Sequence, residues 1–214
     1  MKMTKIALAA VLAMGATAAN AGPFYVDAHL GQATLNEDIS ISGITFDKDD
    51  TTYSLNLGYK ISDTISIEGG YTDLGEASIS NATAVSGSGT LNGRALTLTN
   101  LVGKLAADAK GYTLGMAMDF PINDKVNVVG RAGFFMWESD ATASITSGSF
   151  TYNGTTYNTG SSWALGSRDG SDLYVGIGAS YKFSDAVRAG VNFTRYTLDD
   201  TEVDTWTANL RYNF

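Results

Sequence analysis

Four residues of this 214-residue chain have side chains that could do chemistry: Asp27, His29, Glu68 and Arg131. Asp27 and His29 lie two positions apart, so on an extended backbone they share a face, and a carboxylate beside an imidazole is the start of an acid–base pair. Glu68 and Arg131 are opposite in charge and suit an ion pair across the fold. Other chemistries are poorly supplied. With no cysteine and one histidine, the chain has neither a disulfide framework nor a thiolate or imidazole zinc site. No regularly spaced acidic loop of the EF-hand type is present, and no cofactor is expected.

The elements that would position these residues are strands. The C-terminal stretch puts Trp206, Ala208, Leu210, Tyr212 and Phe214 on one parity and Thr207, Asn209, Arg211 and Asn213 on the other. No chain is left beyond that apolar face to cover it, and lipid can do so instead. Outer-membrane barrels end this way, the last strand pairing with the first so that no backbone edge stays open in hydrocarbon. Seven more strands are expected upstream: Phe24 to Gly31, Tyr53 to Ile61, Ile65 to Leu74, Tyr112 to Phe120, Val126 to Trp137, Leu173 to Phe183 and Val187 to Tyr196.

Short turns at Ser62-Asp63-Thr64, Pro121 to Lys125 and Ser184-Asp185 alternate with longer connections. The first of these is acidic, with Glu37, Asp38, Asp47, Asp49 and Asp50, as is the last, with Asp199, Asp200, Glu202 and Asp204. Gly75 to Gly111 lacks sustained alternation and is expected to be a loop, with room for one helical turn at Leu98, Leu101, Val102 and Leu105. Ser139 to Gly170 is expected to be a second long polar loop. Both termini fall at the short-turn end, the periplasmic end of an outer-membrane barrel.

No position on the apolar parity is charged from Phe24 to Leu30, Tyr53 to Ile61, Ile65 to Tyr71, Tyr112 to Phe120, Val126 to Met136, Leu173 to Phe183, Val187 to Phe193 or Trp206 to Phe214, although 17% of the chain is. Aromatic residues gather near both strand ends: Phe24, Tyr59, Phe120, Tyr181, Phe183, Tyr212 and Phe214 at the turn end, and Tyr53, Tyr71, Tyr112, Phe193 and Trp206 at the loop end. They suit the two interfacial girdles of a membrane barrel. The opposite parity, rich in Gly, Ser, Asn and Thr, suits a narrow interior that bulky side chains would overfill. The expected fold is an all-β, eight-stranded antiparallel up-and-down transmembrane β-barrel.

At the N-terminus, Lys2 and Lys5, an apolar run from Ile6 to Ala13 and Ala19-Asn20-Ala21 read as a secretory signal peptide over 1–21, with the barrel over 22–214. Removing the two lysines leaves 12 basic against 22 acidic residues, a net charge near −10, which argues against nucleic-acid binding.

The inward parity carries Asp27, His29, Lys60, Glu68, Asp119, Arg131, Lys182, Arg188 and Arg211. Lys60, Asp119, Lys182, Arg188 and Arg211 lie close to a turn or terminus and are expected to reach water at the periplasmic rim. Asp27, His29, Glu68 and Arg131 form a deeper polar network. Pairing strands about their turns sets Glu68 opposite Gly58 and Arg131 opposite Gly115, leaving room for the long side chains to bond across the lumen rather than stay unpaired at low dielectric. His29 is open to two readings, a polar plug residue or the base of a lipid-modifying enzyme. No nucleophile for it is identifiable, and it faces inward.

The segments Phe24-Tyr25-Val26-Asp27-Ala28-His29-Leu30-Gly31, Gly58-Tyr59-Lys60-Ile61, Glu68-Gly69-Gly70-Tyr71-Thr72-Asp73-Leu74-Gly75, Phe120-Pro121-Ile122, Gly130-Arg131-Ala132-Gly133 and Tyr181-Lys182-Phe183 resemble the transmembrane domain of the OmpA family. The resemblance implies an eight-stranded barrel whose internal glutamate and arginines form a salt-bridge network proposed to gate a narrow pore, with Glu68 and Arg131 at matching positions. The chain departs from that pattern with His29 and Ala117 at inward-lysine positions, Ser180 at a glutamate and Gly190 at the gate arginine, Arg188 being displaced by two. Ending at the closing strand, it is more similar to the short OmpX-type barrels, whose implied roles are adhesion and surface interaction.

The expected role is therefore that of a monomeric, non-enzymatic structural and surface-interaction protein of the bacterial outer membrane. A small porin and a lipid-modifying enzyme are the alternatives. Expected partners are membrane lipid and lipopolysaccharide, the barrel-assembly machinery through Leu210, Tyr212 and Phe214, and a host or environmental ligand at the loops. The loop acids are open to solvated surface charge or divalent-cation binding.

Overall fold

Period-2 alternation between capped turns produces strands throughout: in the computed structural model, which describes residues 22–37, 44–81 and 83–214, every helix or strand element is a strand. The leader expected over 1–21, and Asp38 of the first acidic loop, lie outside the described residues. The strands are β1 (Phe24–Leu35), β2 (Ile44–Asp47), β3 (Asp49–Lys60), β4 (Ile65–Asn81), β5 (Val85–Leu91), β6 (Arg94–Pro121), β7 (Val126–Tyr152), β8 (Thr155–Asn158), β9 (Ser162–Lys182), β10 (Val187–Leu198) and β11 (Thr201–Asn213).

Eight of them, β1, β3, β4, β6, β7, β9, β10 and β11, form a closed antiparallel ring. Closure is made by β1 on β11, in register from Tyr25 opposite Asn213 to Leu35 opposite Val203. The short strands attach outside the ring, β2 to β4, β5 to β6 and β8 to β7.

Exposure is inverted relative to a water-soluble protein. Phe183 is 67% exposed and Tyr112 65%, whereas Asp27 is fully buried and Arg211 is 3% exposed. Lipid supplies the environment that the outward side chains need. The expected girdle residues meet around the wall: Phe24 with Tyr59 and Tyr212 with Phe214 edge-on at one end, Tyr71 with Tyr112 edge-on and Phe193 with Trp206 tilted at the other.

All three short turns use one device. Ser62 Oγ, Asn123 Oδ1 and Ser184 Oγ accept the backbone N–H three residues on, of Ile65, Val126 and Val187. Such side-chain caps are why Ser and Asn at these places end one strand and start the next.

The two long segments are strand rather than loop. Gly75 to Gly111 continues β4 and supplies β5 and most of β6; Ser139 to Gly170 continues β7, supplies β8 and begins β9. The helical turn expected at Leu98 to Leu105 is β6 strand. Two physical causes hide this pattern. Above the lipid both faces of a strand are wet, so no apolar alternation is needed. Register also shifts at Asp73/Glu76, Thr99/Val102, Val102/Gly103 and Ala141/Thr142, and each shift moves side chains to the other face. At the first shift Gly75 has φ +80° and lies against Asp50, a conformation and approach that suit glycine.

The outer end of the β10–β11 hairpin is clasped by Arg195, whose Nε and Nη2 both donate to the Asp204 carboxylate at 2.7 Å. These bonds hold the Asp204 carboxyl below the usual carboxylate range. A depressed pKa contributes stability above the unfolded value of about 3.9, lost as pH falls through the folded value. Hydrogen exchange near Thr197 to Thr201 should therefore speed up below about pH 4, and Asp204→Asn should make it fast at every pH; exchange unaffected by either would show that the clasp carries nothing. Met116→Arg, in the middle of the exposed apolar band, should destabilise the barrel in vesicles by about 2–4 kcal/mol, whereas Thr142→Arg, above the band, should change it by under about 0.5 kcal/mol; denaturant titration measures both.

Candidate functional site

The inward parity of β1 brings Tyr25, Asp27 and His29 into the lumen, one above the next. Opposite them stand Glu68 on β4, Arg131 on β7, Asn192 on β10, and Asn209 and Arg211 on β11. Small neighbours make room. Glu68 lies between Gly58 and Gly115 in the sheet, and Arg131 between Ala117 and Gly176. The expected pairing of Glu68 with Gly58 is present, but Arg131 faces Ala117 rather than Gly115, because the β6–β7 turn is centred one residue further along the chain: Pro121 pairs with Asn127. A Cβ at Gly58 would overlap the Tyr25 ring, so glycine there admits the tyrosine.

Asp27 is the centre. Its Oδ2 accepts from Arg131 Nη2 at 2.9 Å and from Arg211 Nη2 and Nε at 3.0 and 3.1 Å, and its Oδ1 accepts from Asn209 Nδ2 at 2.7 Å. Glu68 is shared between the same two arginines, Arg131 Nε at 3.1 Å and Arg211 Nη2 at 3.2 Å, and also accepts from Tyr25 Oη at 2.6 Å. Arg131 Nη1 donates to Asn192 Oδ1 at 2.6 Å. The Arg211 guanidinium lies 4.0 Å from the centre of the Tyr25 ring. With Asp119 bonded to both Arg211 and Arg188, three carboxylates and three guanidiniums thus cancel in charge inside a wall of low dielectric, the condition under which buried ions persist.

The four residues singled out from sequence are brought together, with Asp27 rather than the Glu68–Arg131 pair at the middle. His29 sits above it, Nε2 3.5 Å from Asp27 Oδ1 and Nδ1 3.4 Å from Thr207 Oγ1. It borders a void of about 20 Å³, room for about one water. Sequence reasoning missed Arg211 and Asp119, expected at the water-filled rim. Both are buried, and Arg211 Nη1 bonds Asp119 Oδ2 at 3.3 Å. A signal was available: aligning the first and last strands by their ends sets Asp27 directly opposite Arg211, as the register shows. Bulky inward residues were missed as well. Phe135, Trp137, Tyr174 and Tyr196 form a buried apolar layer on the loop side of the plug, disguised in sequence because Phe134-Phe135-Met136-Trp137 is apolar on both parities.

Arg131→Leu should cost about 3–5 kcal/mol, the usual penalty for removing one member of a buried pair, and should lower the temperature at which the folded barrel melts. Because Arg211 also holds both carboxylates, the double variant Arg131→Leu/Glu68→Leu should recover part of that loss. Unchanged melting of the single variant would refute the pairing as a structural bond.

A family profile described as outer membrane protein beta-barrel domain matches residues 5–214. Among curated proteins, none matches the chain. Among solved structures, the chain is similar to the Yersinia pestis attachment invasion locus protein Ail at 18% identity and TM-score 0.52, over 91% of this chain and 100% of that one. The same protein with the heparin analogue sucrose octasulfate aligns at 17% and 0.50, over 89% and 97%. Neisserial surface protein A aligns at 16% and 0.48, over 91% and 99%. The likeness to Ail is one of fold. Closed ring, lipid-facing apolar wall and paired luminal charge agree with the family match, and the chain belongs to the outer membrane protein β-barrel domain family.

Proposed function

We propose that this chain is a monomeric outer-membrane protein without enzymatic activity that works by contact, through stiff hairpins raised above the membrane. The observation that carries this reading is strand length. β6 has 28 residues and β7 has 27, whereas a bilayer takes about 9–11 residues of tilted strand. Roughly 15 residues of each, on the order of 50 Å of strand, therefore stand in the aqueous phase. They pair with each other and with β5 and β8, so a surface offered there is held in shape before contact and little is lost in ordering it.

The remaining parts of the proposal follow from orientation. Cleavage after Ala21 would free a mature chain with both termini in the periplasm, beside the three tight turns, and the long hairpins outside the cell. Leu210 and Tyr212 on the lipid face of β11, with Phe214 just beyond it, would be read by the barrel-assembly machinery, and the girdles would seat the barrel in lipid and lipopolysaccharide. A narrow porin is the competing reading, and the Asp27-centred plug speaks against it. His29 borders a void too small for a substrate, which speaks against an enzyme. Ail has been solved with a polyanion; a mature net charge near −10 favours a different ligand here.

Two measurements test this. In planar bilayers the purified protein should give no reproducible conductance steps, and steady channels would support the porin instead. Cells displaying the full protein should adhere to a cultured cell layer or matrix-coated surface several-fold better than cells displaying a version trimmed of Val85–Leu91 and the β7–β8 tip. Equal adherence would remove the contact role.

A further inference from the structure

On the loop side of the plug the lumen widens into a cavity of about 650 Å³, within the range of small-molecule sites, about 300–1,000 Å³. Its deep wall is apolar, built from Ala33, Leu74, Trp137, Leu198 and Val203. The buried rings of Phe135, Tyr174 and Tyr196 lie between it and the charged plug, so the cavity is a cup rather than a passage. Its rim carries five carboxylates, of Asp50, Glu76, Asp108, Asp199 and Asp200, against two bases, Lys48 and Arg168, and with two of the five paired to Lys104 and Lys110 outside the rim a net acidic excess of one remains.

Most of those carboxylates are already engaged. Glu76 pairs with Lys104 and Asp108 with Lys110, and both oxygens of Asp50 accept backbone N–H groups. Asp199 and Asp200, on the β10–β11 turn, have no ion-pair partner among the described residues. One buttress fixes both the wall and this turn: Asp172 Oδ2 accepts from the Trp137 indole N–H at 2.8 Å and from the Asp199 backbone N–H at 3.1 Å. On β9, a Cβ at Gly170 would come within 2.6 Å of the Trp137 ring, so glycine there lets the indole lie flat against the strand. Apolar wall, indole and acidic lip are thus held in one fixed arrangement.

We propose that this cup is a binding site for small amphipathic cations, with the apolar body against Trp137, Leu198 and Val203 and the cationic group at Asp199 and Asp200. An apolar body leaves water for the wall. The cation gains two carboxylates and, where it faces the indole, the ring's negative face. An anion of the same shape meets the carboxylates as like charge and is rejected. This site is independent of the contact role proposed for the hairpins.

The test uses the mature protein in phosphatidylcholine nanodiscs. In a Trp163→Phe/Trp206→Phe background, Trp137 is the remaining one of three tryptophans and reports on the cup. Benzyltriethylammonium should change its fluorescence saturably, and p-toluenesulfonate should bind at least about tenfold more weakly. Asp199→Asn/Asp200→Asn should weaken the cation by roughly three- to tenfold, as expected for solvent-accessible charge pairs, while Asp124→Asn at a far turn leaves it unchanged. Ala109→Phe, which fills the cup from β6, should abolish saturation. The Asn pair sits on an exposed turn, so the test stands even where a cup-filling variant fails to fold. Equal binding of cation and sulfonate, or cation affinity indifferent to the Asn pair, overturns the proposal.

Discussion

A backbone N–H or C=O left unpaired in hydrocarbon costs several kcal/mol, and that penalty makes the seam between β1 and β11 the contact on which the molecule depends. An open sheet of the same strands would leave two edges in lipid. With the seam made, each strand has one face toward acyl chains and one toward a lumen too narrow for bulk water. The outward apolar faces and the Gly-, Ser- and Asn-rich inward faces are two consequences of one closure.

The luminal charges are tied to the same seam. Asp27 comes from the first strand and Arg211 from the last, and they meet because those strands are paired in that register. Arg131 and Glu68 add β7 and β4, so the network is complete only in the closed ring. Buried ion pairs contribute little net stability against a well-packed apolar core, but a misplaced member is costly. A two-residue slip at the seam keeps every side chain on its proper face and is otherwise inexpensive; here it would part Arg211 from Asp27. The plug thus acts on register, and it separates the short-turn end from the apolar cup above.

Legibility from sequence follows the lipid. Where a strand crosses hydrocarbon, one parity must be apolar, and Tyr112 to Phe120 or Trp206 to Phe214 can be read residue by residue. Above the lipid that requirement lapses, and strands such as Val85–Leu91 or the outer half of β6 look like loop. Strand identity was readable for the site, but register was only partly so. Glu68 stands opposite Gly58 as expected, Arg131 stands two residues from its expected partner, and nearness to the terminus hides that Arg211 meets Asp27 across the seam. The cup's aromatic wall was hidden for a different reason, since Phe135 and Trp137 alternate with the lipid-facing Phe134 and Met136.

The central claim is that lipid contacts every second residue of each crossing strand. The chain has no cysteine, so single cysteines can be placed in turn from Tyr112 to Asp119 on β6, spin-labelled, and measured in bilayers for collision with oxygen and with a water-soluble nickel chelate. The account predicts high oxygen access at 112, 114, 116 and 118 and low access to both reagents at 113, 115, 117 and 119. Nickel access along the first set, or no alternation at all, would contradict it.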